Sequence, residues 1–301
     1  MICRLFIILP VSFCLLFVHC KQEQTRPVAL SVFVSIAPQK YIIDKIGGSL
    51  VAASVMVEPG ASPHSYEPRP FQMTAMSKAR AYFSLGLEFE KVWLPRFRRI
   101  NGAMAVFPMD SGIVKRPADL LAESPAGSTH DRTGHQHEGA DPHIWLSPEL
   151  VKKMAKTACD ALCKLDPGHD SAYIAHWRAF EAEIAELQDT IRAIARSRIP
   201  TDAKNTFMVF HPSWGYFADE FKLRQVAIEV EGKEPSARQL QTIVETAKTY
   251  HIHTIFVQPQ FSQRSAGIIA RQIGGRVAIA DDLAYDWKNN LIAFSKALAL
   301  Q

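Results

Sequence analysis

Short β-branched runs, separated by stretches with apolar residues three and four apart, set the rhythm of this chain. Val28 to Ile36 reads Val-Ala-Leu-Ser-Val-Phe-Val-Ser-Ile, a strand pattern. Pro38 to Ile46 then carries helical spacing at Tyr41, Ile42 and Lys45-Ile46 before Gly47-Gly48 ends it. Ala52 to Val57 is the next predicted strand, and Ala81 to Leu85 and Ala103 to Phe107 continue the series with helical patterns between them. A second series begins after Pro200, with strands at Thr206 to Phe210, Gln225 to Val230, Thr254 to Val257 and Arg276 to Ala280. Helices fill its gaps, for example Ser236 to Tyr250 and Gln263 to Ile273. Strand-helix alternation of this kind predicts parallel sheets covered on both faces, so the expected fold class is α/β with two lobes.

Between the two series, Tyr173, Trp177, Phe180, Ile184, Leu187, Ile191 and Ile194 recur at alternating intervals of three and four. They predict one amphipathic helix from about Asp170 to Arg198, preceded by Gly168 and stopped by Pro200. At about 1.5 Å per residue it would run more than 40 Å, the length of a small protein. Its place between the series makes it a connecting spine. The expected organisation is an N-terminal lobe over 28–167, the spine over 168–199 and a C-terminal lobe over 200–301.

Length agrees, since 301 residues can form two lobes. With 48% hydrophobic and 21% charged residues, the composition is that of an ordinary globular protein. A net charge of +4 from 34 basic and 30 acidic residues comes without a basic run, which argues against a nucleic-acid partner. Arg4 followed by the mostly apolar stretch from Leu5 to Val18 reads as a secretory signal over 1–20, too short and too early for a spanning helix. After Cys20 the chain turns polar at once, in Lys21-Gln22-Glu23-Gln24-Thr25-Arg26. That switch resembles a bacterial lipoprotein, in which Cys20 would be lipidated and 21–27 would form a tether. Phe17-Val18-His19 departs from the small residues preferred before such a cysteine. Of the remaining cysteines, Cys159 and Cys163 lie four apart on a helical pattern, where a disulfide is disfavoured and buried small hydrophobes are expected.

Three histidines carry the candidate chemistry. Each sits in a short phrase: Ser62-Pro63-His64-Ser65-Tyr66, Asp141-Pro142-His143-Ile144-Trp145 and Phe210-His211-Pro212-Ser213-Trp214. One histidine beside a proline is commonly a turn residue, but three such phrases point to neutral imidazole as a ligand for a borderline metal. They lie too far apart for a zinc finger or a His-Glu-x-x-His helix, so any shared site exists only in the folded chain. His211 and Asp281 each follow a strand run, where parallel sheets hold their ligands. His143 precedes Ser147-Pro148, a helix-start signal.

These phrases resemble the metal-binding solute-binding proteins of bacterial ABC importers, cluster A-I or family 9, in its zinc branch. The likeness extends to Val57-Glu58-Pro59-Gly60-Ala61-Ser62-Pro63-His64, to Ala79 to Gly86 with Leu87-Glu88, to Glu231-Gly232-Lys233-Glu234-Pro235-Ser236 and to Val257-Gln258-Pro259-Gln260-Phe261-Ser262. It implies two α/β lobes joined by one long helix, with the metal between them. It also implies His64, His143 and His211 as ligands, and a last carboxylate at Asp281 with Asp282 in reserve. Where relatives often carry Glu, this chain has Gln258.

Three imidazoles and a carboxylate suit four-coordinate Zn²⁺ better than Mn²⁺, which the resemblance associates with Glu in the third position. Mn²⁺ is the alternative cargo. A polar insert with His130, His135 and His137 resembles a short histidine-rich loop and is not assigned to the primary site. The expected protein is an extracytoplasmic, periplasmic or lipid-anchored monomer that hands metal to an ABC permease. A metal-dependent hydrolase and a zinc-bearing adhesin are the alternatives; no hydrolase signature is present. His251-Ile252-His253 fits the start of a strand as well as a ligand pair.

Overall fold

The computed structural model describes residues 29–117, 140–198, 205–229 and 235–300. The signal and tether segments with Cys20, the insert with His130, His135 and His137, and Glu231 to Glu234 lie outside them. The first lobe carries strands β1 (Leu30–Val34), β2 (Val51–Val55), β3 (Ala81–Ser84) and β4 (Ala105–Pro108), with helices α1 (Ala37–Gly47), α2 (Pro70–Met76), α3 (Glu88–Ile100) and α4 (Pro148–Leu165). The second carries β5 (Thr206–Val209), β6 (Arg224–Ala227), β7 (Thr254–Val257) and β8 (Arg276–Ile279), with α6 (Gly215–Phe221), α7 (Ala237–Thr249), α8 (Gln263–Gln272) and α9 (Trp287–Leu298). Helix α5 (Asp170–Arg198) is the spine, 29 residues long.

Each sheet has four parallel strands in the same relative order, β2-β1-β3-β4 and β6-β5-β7-β8. The central strands β3, β5 and β7 are buried along their whole length, as sheets covered on both faces require. Beginning at β1 or β5, the chain moves first to one side and then to the other. This opens a crevice beyond the strand carboxyl ends, where a ligand can sit.

The two lobes share a core. One apolar cluster runs from Val32 and Phe83 through Tyr173, Phe180 and Ile184 of the spine to Trp214, Phe256, Trp287 and Phe294, and a smaller one lies within the second lobe alone. Tyr41 of α1 meets Phe180 of α5 and Trp287 of α9, each at 6.0 Å between ring centroids. Polar ties reinforce the seam. Glu183 on the spine pairs with Lys45 of the first lobe at 2.7 Å and Lys288 of the second at 3.0 Å. Prying the lobes apart would expose this continuous apolar surface to water, at about 25 cal/mol per Å².

The cysteines behave as apolar residues. Both are free thiols, and burial pushes Cys159 up to about 12, which keeps it protonated and inert. No helix among the described residues is long and apolar enough to cross a membrane.

Candidate metal centre

His64 and His211 lie in loops that follow strands, and His143 lies in the loop that leads into α4. His64 lies in the turn-rich loop after β2, its backbone N–H donating to Ser62 Oγ at 3.3 Å. His143 immediately precedes the short turn Ile144–Leu146, whose end is fixed by Ser147, the cap of α4, accepting from Leu150 N at 3.2 Å. His211 follows β5 by two residues. Gln258, fully buried after β7, clamps it: the amide oxygen accepts from His211 N at 3.2 Å, while the amide nitrogen donates to His211 O at 2.7 Å and Ser213 Oγ at 3.0 Å. A carboxylate can accept but cannot donate, so the amide is the chemistry that fits this position.

The three imidazoles converge, with ligand atoms all within 4.8 Å of one another. Nε2 of His211 is 3.3 Å from Nε2 of His64 and 3.3 Å from Nε2 of His143. Nitrogen donors about 2.05 Å from a tetrahedral zinc ion stand about 3.3 Å apart, so this spacing is the edge of such a polyhedron.

Each outer ring nitrogen meets a carboxylate. His143 Nδ1 lies 2.8 Å from Asp141 Oδ1, which also accepts His143 N–H at 3.0 Å. His211 Nδ1 lies 2.8 Å from Glu229 Oε2, just beyond β6, and His64 Nδ1 lies 3.3 Å from Glu88 Oε2 at the start of α3. A carboxylate at Nδ1 selects the tautomer that leaves the Nε2 lone pair free for the ion and fixes the ring. The collar is uneven. His143 and His211 side chains are 3% and 10% exposed, whereas His64 is 33% exposed and its partner Glu88 63%, which marks them as the lip of the site.

Charge follows that asymmetry. Burial pushes His211 down, and the neighbouring imidazoles add to this, outweighing the Glu229 hydrogen bond, so its affinity for a proton lies below the ordinary imidazole range. At His64 burial also works against the proton. There the Glu88 hydrogen bond and the fields of Glu88, Glu229 and Asp282 prevail, and the group is raised. Glu88 is correspondingly lowered, first by its hydrogen bond to His64.

The aspartate pair divides. Asp281 Oδ1 accepts from Leu283 N at 2.8 Å, closing its own turn, and its carboxyl is raised by burial and by the charge of Asp282. Neither Asp281 nor Asp282 belongs to the three-histidine group found among the described residues. Asp282 is buried, 3% exposed, accepts from Gln260 Nε2 at 2.7 Å and exerts its field on His64. Trp145, two residues beyond His143, donates its indole N–H to Asp282 O at 2.6 Å, tying the two loops together. His251 and His253 are exposed ahead of β7, outside the group, with His251 in the left-handed region at φ 52.

The carboxylate collar has no signature as a set in the sequence. Asp141 carried a local signal, an acid two residues before a candidate ligand. Glu88 was visible only as part of a longer phrase. Glu229 carried none, because its partner lies 18 residues away on a neighbouring strand end.

Comparison with known proteins points the same way. A family profile described as the periplasmic component A of the zinc-uptake complex, ZnuA, matches residues 32–294. The high-affinity zinc uptake system protein ZnuA of Yersinia pestis is 26% identical over 267 residues, covering 84% of this chain and 83% of that protein. A crystal structure of ZnuA is 40% identical with a TM-score of 0.81, covering 91% of this chain and 99% of that one. A ZnuA deletion mutant with zinc bound is 40% identical with a TM-score of 0.79, covering 90% and 97%.

Proposed function

Taking as premise that this chain belongs to the family of periplasmic zinc-uptake components, we propose that His64, His143 and His211 bind the transported Zn²⁺ through their Nε2 atoms. The protein acts outside the cytoplasmic membrane as the zinc-binding component of an ABC importer, with a membrane permease as its partner. The observation that carries the assignment of ligands is the 3.3 Å spacing of imidazole nitrogens drawn from both lobes. A carboxylate of the Asp281-Asp282 pair completes the set in this reading. Asp282 is the stronger candidate of the two because its charge acts on His64 while Asp281 serves its own turn.

Zinc arrives at the exposed lip formed by His64 and Glu88 and is held by the two deeper imidazoles. Neutral nitrogen donors favour a borderline cation over Mn²⁺, which prefers oxygen. Four protein donors leave no open coordination position for water or substrate, so the protein carries its metal without performing chemistry on it. In this reading it works as a monomer, organised as the lobes 28–167 and 200–301 about the spine 168–199, and is exported by its first 20 residues, with Cys20 as the point of a lipid tether where the leader is processed as a lipoprotein's. Nucleic acid has no role.

Metal analysis of gently purified protein, with affinity measured by chelator competition, tests the reading. One zinc per chain, lost on replacing any of the three histidines, supports it. Wild-type protein that binds no zinc above chelator background overturns it.

A further inference from the structure

Two buried polar atoms of opposite charge face the same point on the seam between the lobes without forming a direct ion pair. Arg116 Nη1 and Asp141 Oδ2 are inaccessible to solvent, and neither has a hydrogen-bond partner. The point is the bare Cα face of Gly215, the first residue of α6. A Cβ there would collide with the Arg116 guanidinium and would stand 3.4 Å from Asp141 Oδ2. Asp141 is wholly buried. Its other oxygen is committed to both the backbone N–H and Nδ1 of His143.

The rest of Arg116 is held from the second lobe. Its backbone N–H donates to Tyr216 Oη at 2.8 Å, its Nε reaches Asp219 at 3.3 Å, and the guanidinium lies 5.7 Å from the Tyr216 ring centre. Tyr216 Oη in turn donates to the carbonyl of Asp141 at 2.9 Å. Arg116 also accepts the Asp141 N–H on its own carbonyl at 2.8 Å. One arginine thus touches α6 on one side and the backbone that presents His143 on the other.

We propose that Arg116 is a positioning residue for His143. Its unpartnered Nη1 balances the charge of Asp141 Oδ2 across the bare face of Gly215 without a direct hydrogen bond, and thereby couples the orientation of a metal ligand to closure of the lobes. A wholly buried carboxylate needs a counter-charge or a full set of donors, and the unpartnered Nη1 of the Arg116 guanidinium lies beside Oδ2 at the Gly215 face. The planar fork matters: Nε serves Asp219 while Nη1 serves Asp141, a division that the single point charge of lysine does not reproduce. Gly215 is required because a side chain there would occupy the guanidinium's place. The proposal rests on the reading of His143 as a zinc ligand.

The test uses Arg116→Lys and Gly215→Ala in the full chain, with Asp219→Asn as a comparison that retains the arginine. Zinc affinity is measured by chelator competition and the His143 tautomer by ¹⁵N imidazole NMR of the metal-free protein. We expect both site variants to weaken zinc by about 10–100-fold, the usual effect of a supporting group, and His143 to lose its single tautomer while far-UV circular dichroism stays native. Asp219→Asn should weaken zinc less than either. If one site variant fails to fold, the other decides. Wild-type affinity within twofold and an unchanged tautomer in the folded variants would overturn the proposal. Weakened binding with an unchanged tautomer and a lowered melting temperature would also overturn it, since Arg116 would then serve stability alone. Absence of zinc binding by the wild type would instead count against the ligand reading itself.

Discussion

His64 Nε2 and His211 Nε2 stand 3.3 Å apart although 147 residues separate them and each belongs to a different lobe. With the carboxylates at Nδ1 leaving both Nε2 atoms unprotonated, the two lone pairs repel unless a cation lies between them, which is the arrangement the proposed zinc site requires. Its affinity for zinc should exceed what any one lobe can supply.

Replacing a donor should therefore cost more than replacing a supporting carboxylate. Alanine at His143 or His211 is expected to weaken zinc by more than 100-fold, and Glu229→Gln, which weakens the support at His211 Nδ1, by about 10–100-fold. Chelator competition at constant pH measures both. Equal effects from donor and supporter would contradict the assignment of roles.

The two aspartates should separate cleanly. Asp282→Asn removes a negative charge acting on His64 and is expected to lower zinc affinity. Asp281→Ala should leave affinity nearly intact and cost about 1 kcal/mol of stability through the lost bond to Leu283 N. Parallel zinc titrations and urea unfolding distinguish them, and reversal of the two results would make Asp281 the carboxylate ligand.

Acid should release the metal, and His64 should set where release begins. Zinc requires neutral imidazole. His64 is raised and takes up a proton first as pH falls, while His211 is lowered and resists protonation until more acid conditions. Affinity is thus expected to decline from above the ordinary imidazole range. Glu88→Gln, which removes the hydrogen-bonded charge that raises His64, should shift the onset to lower pH. Zinc affinity measured from pH 8 to pH 5 in both proteins checks the direction; an onset unmoved or moved upward would contradict it.

Gln258→Glu should destabilise the apo protein by about 1–3 kcal/mol. It would remove the donor to His211 O and Ser213 Oγ and place a carboxylate against a carbonyl in a fully buried position. Guanidinium unfolding in the presence of a chelator reads the loss.

Lobe motion should be small. The shared core and the bonds of Trp287 Nε1 to Trp145 O at 2.7 Å and of Tyr285 Oη to Asp44 at 2.7 Å oppose a wide hinge. X-ray scattering is expected to give nearly equal radii of gyration with and without zinc, and a large compaction on loading would refute this.

Much of this protein was legible in the chain because periodicity is a local property. The run from Tyr173 to Ile194 predicted a helix over Asp170–Arg198, and that is where the spine lies. Strand centres were equally plain, although β6 ends at Ala227 short of the predicted Val230, with Ile228 and Glu229 still donating to Val209 O and Phe210 O beyond the strand register. The three histidines stood out because proline and aromatic neighbours hold each in a rigid phrase. The tertiary structure alone decided which carboxylates serve them. Glu229 and Glu88 reach His211 and His64 from separate strand ends, Asp141 reaches His143 from the loop before it, and Asp282 acts on His64 through its charge. Adjacency across two sheets depends on strand order and on lobe packing, and neither leaves a period in the sequence.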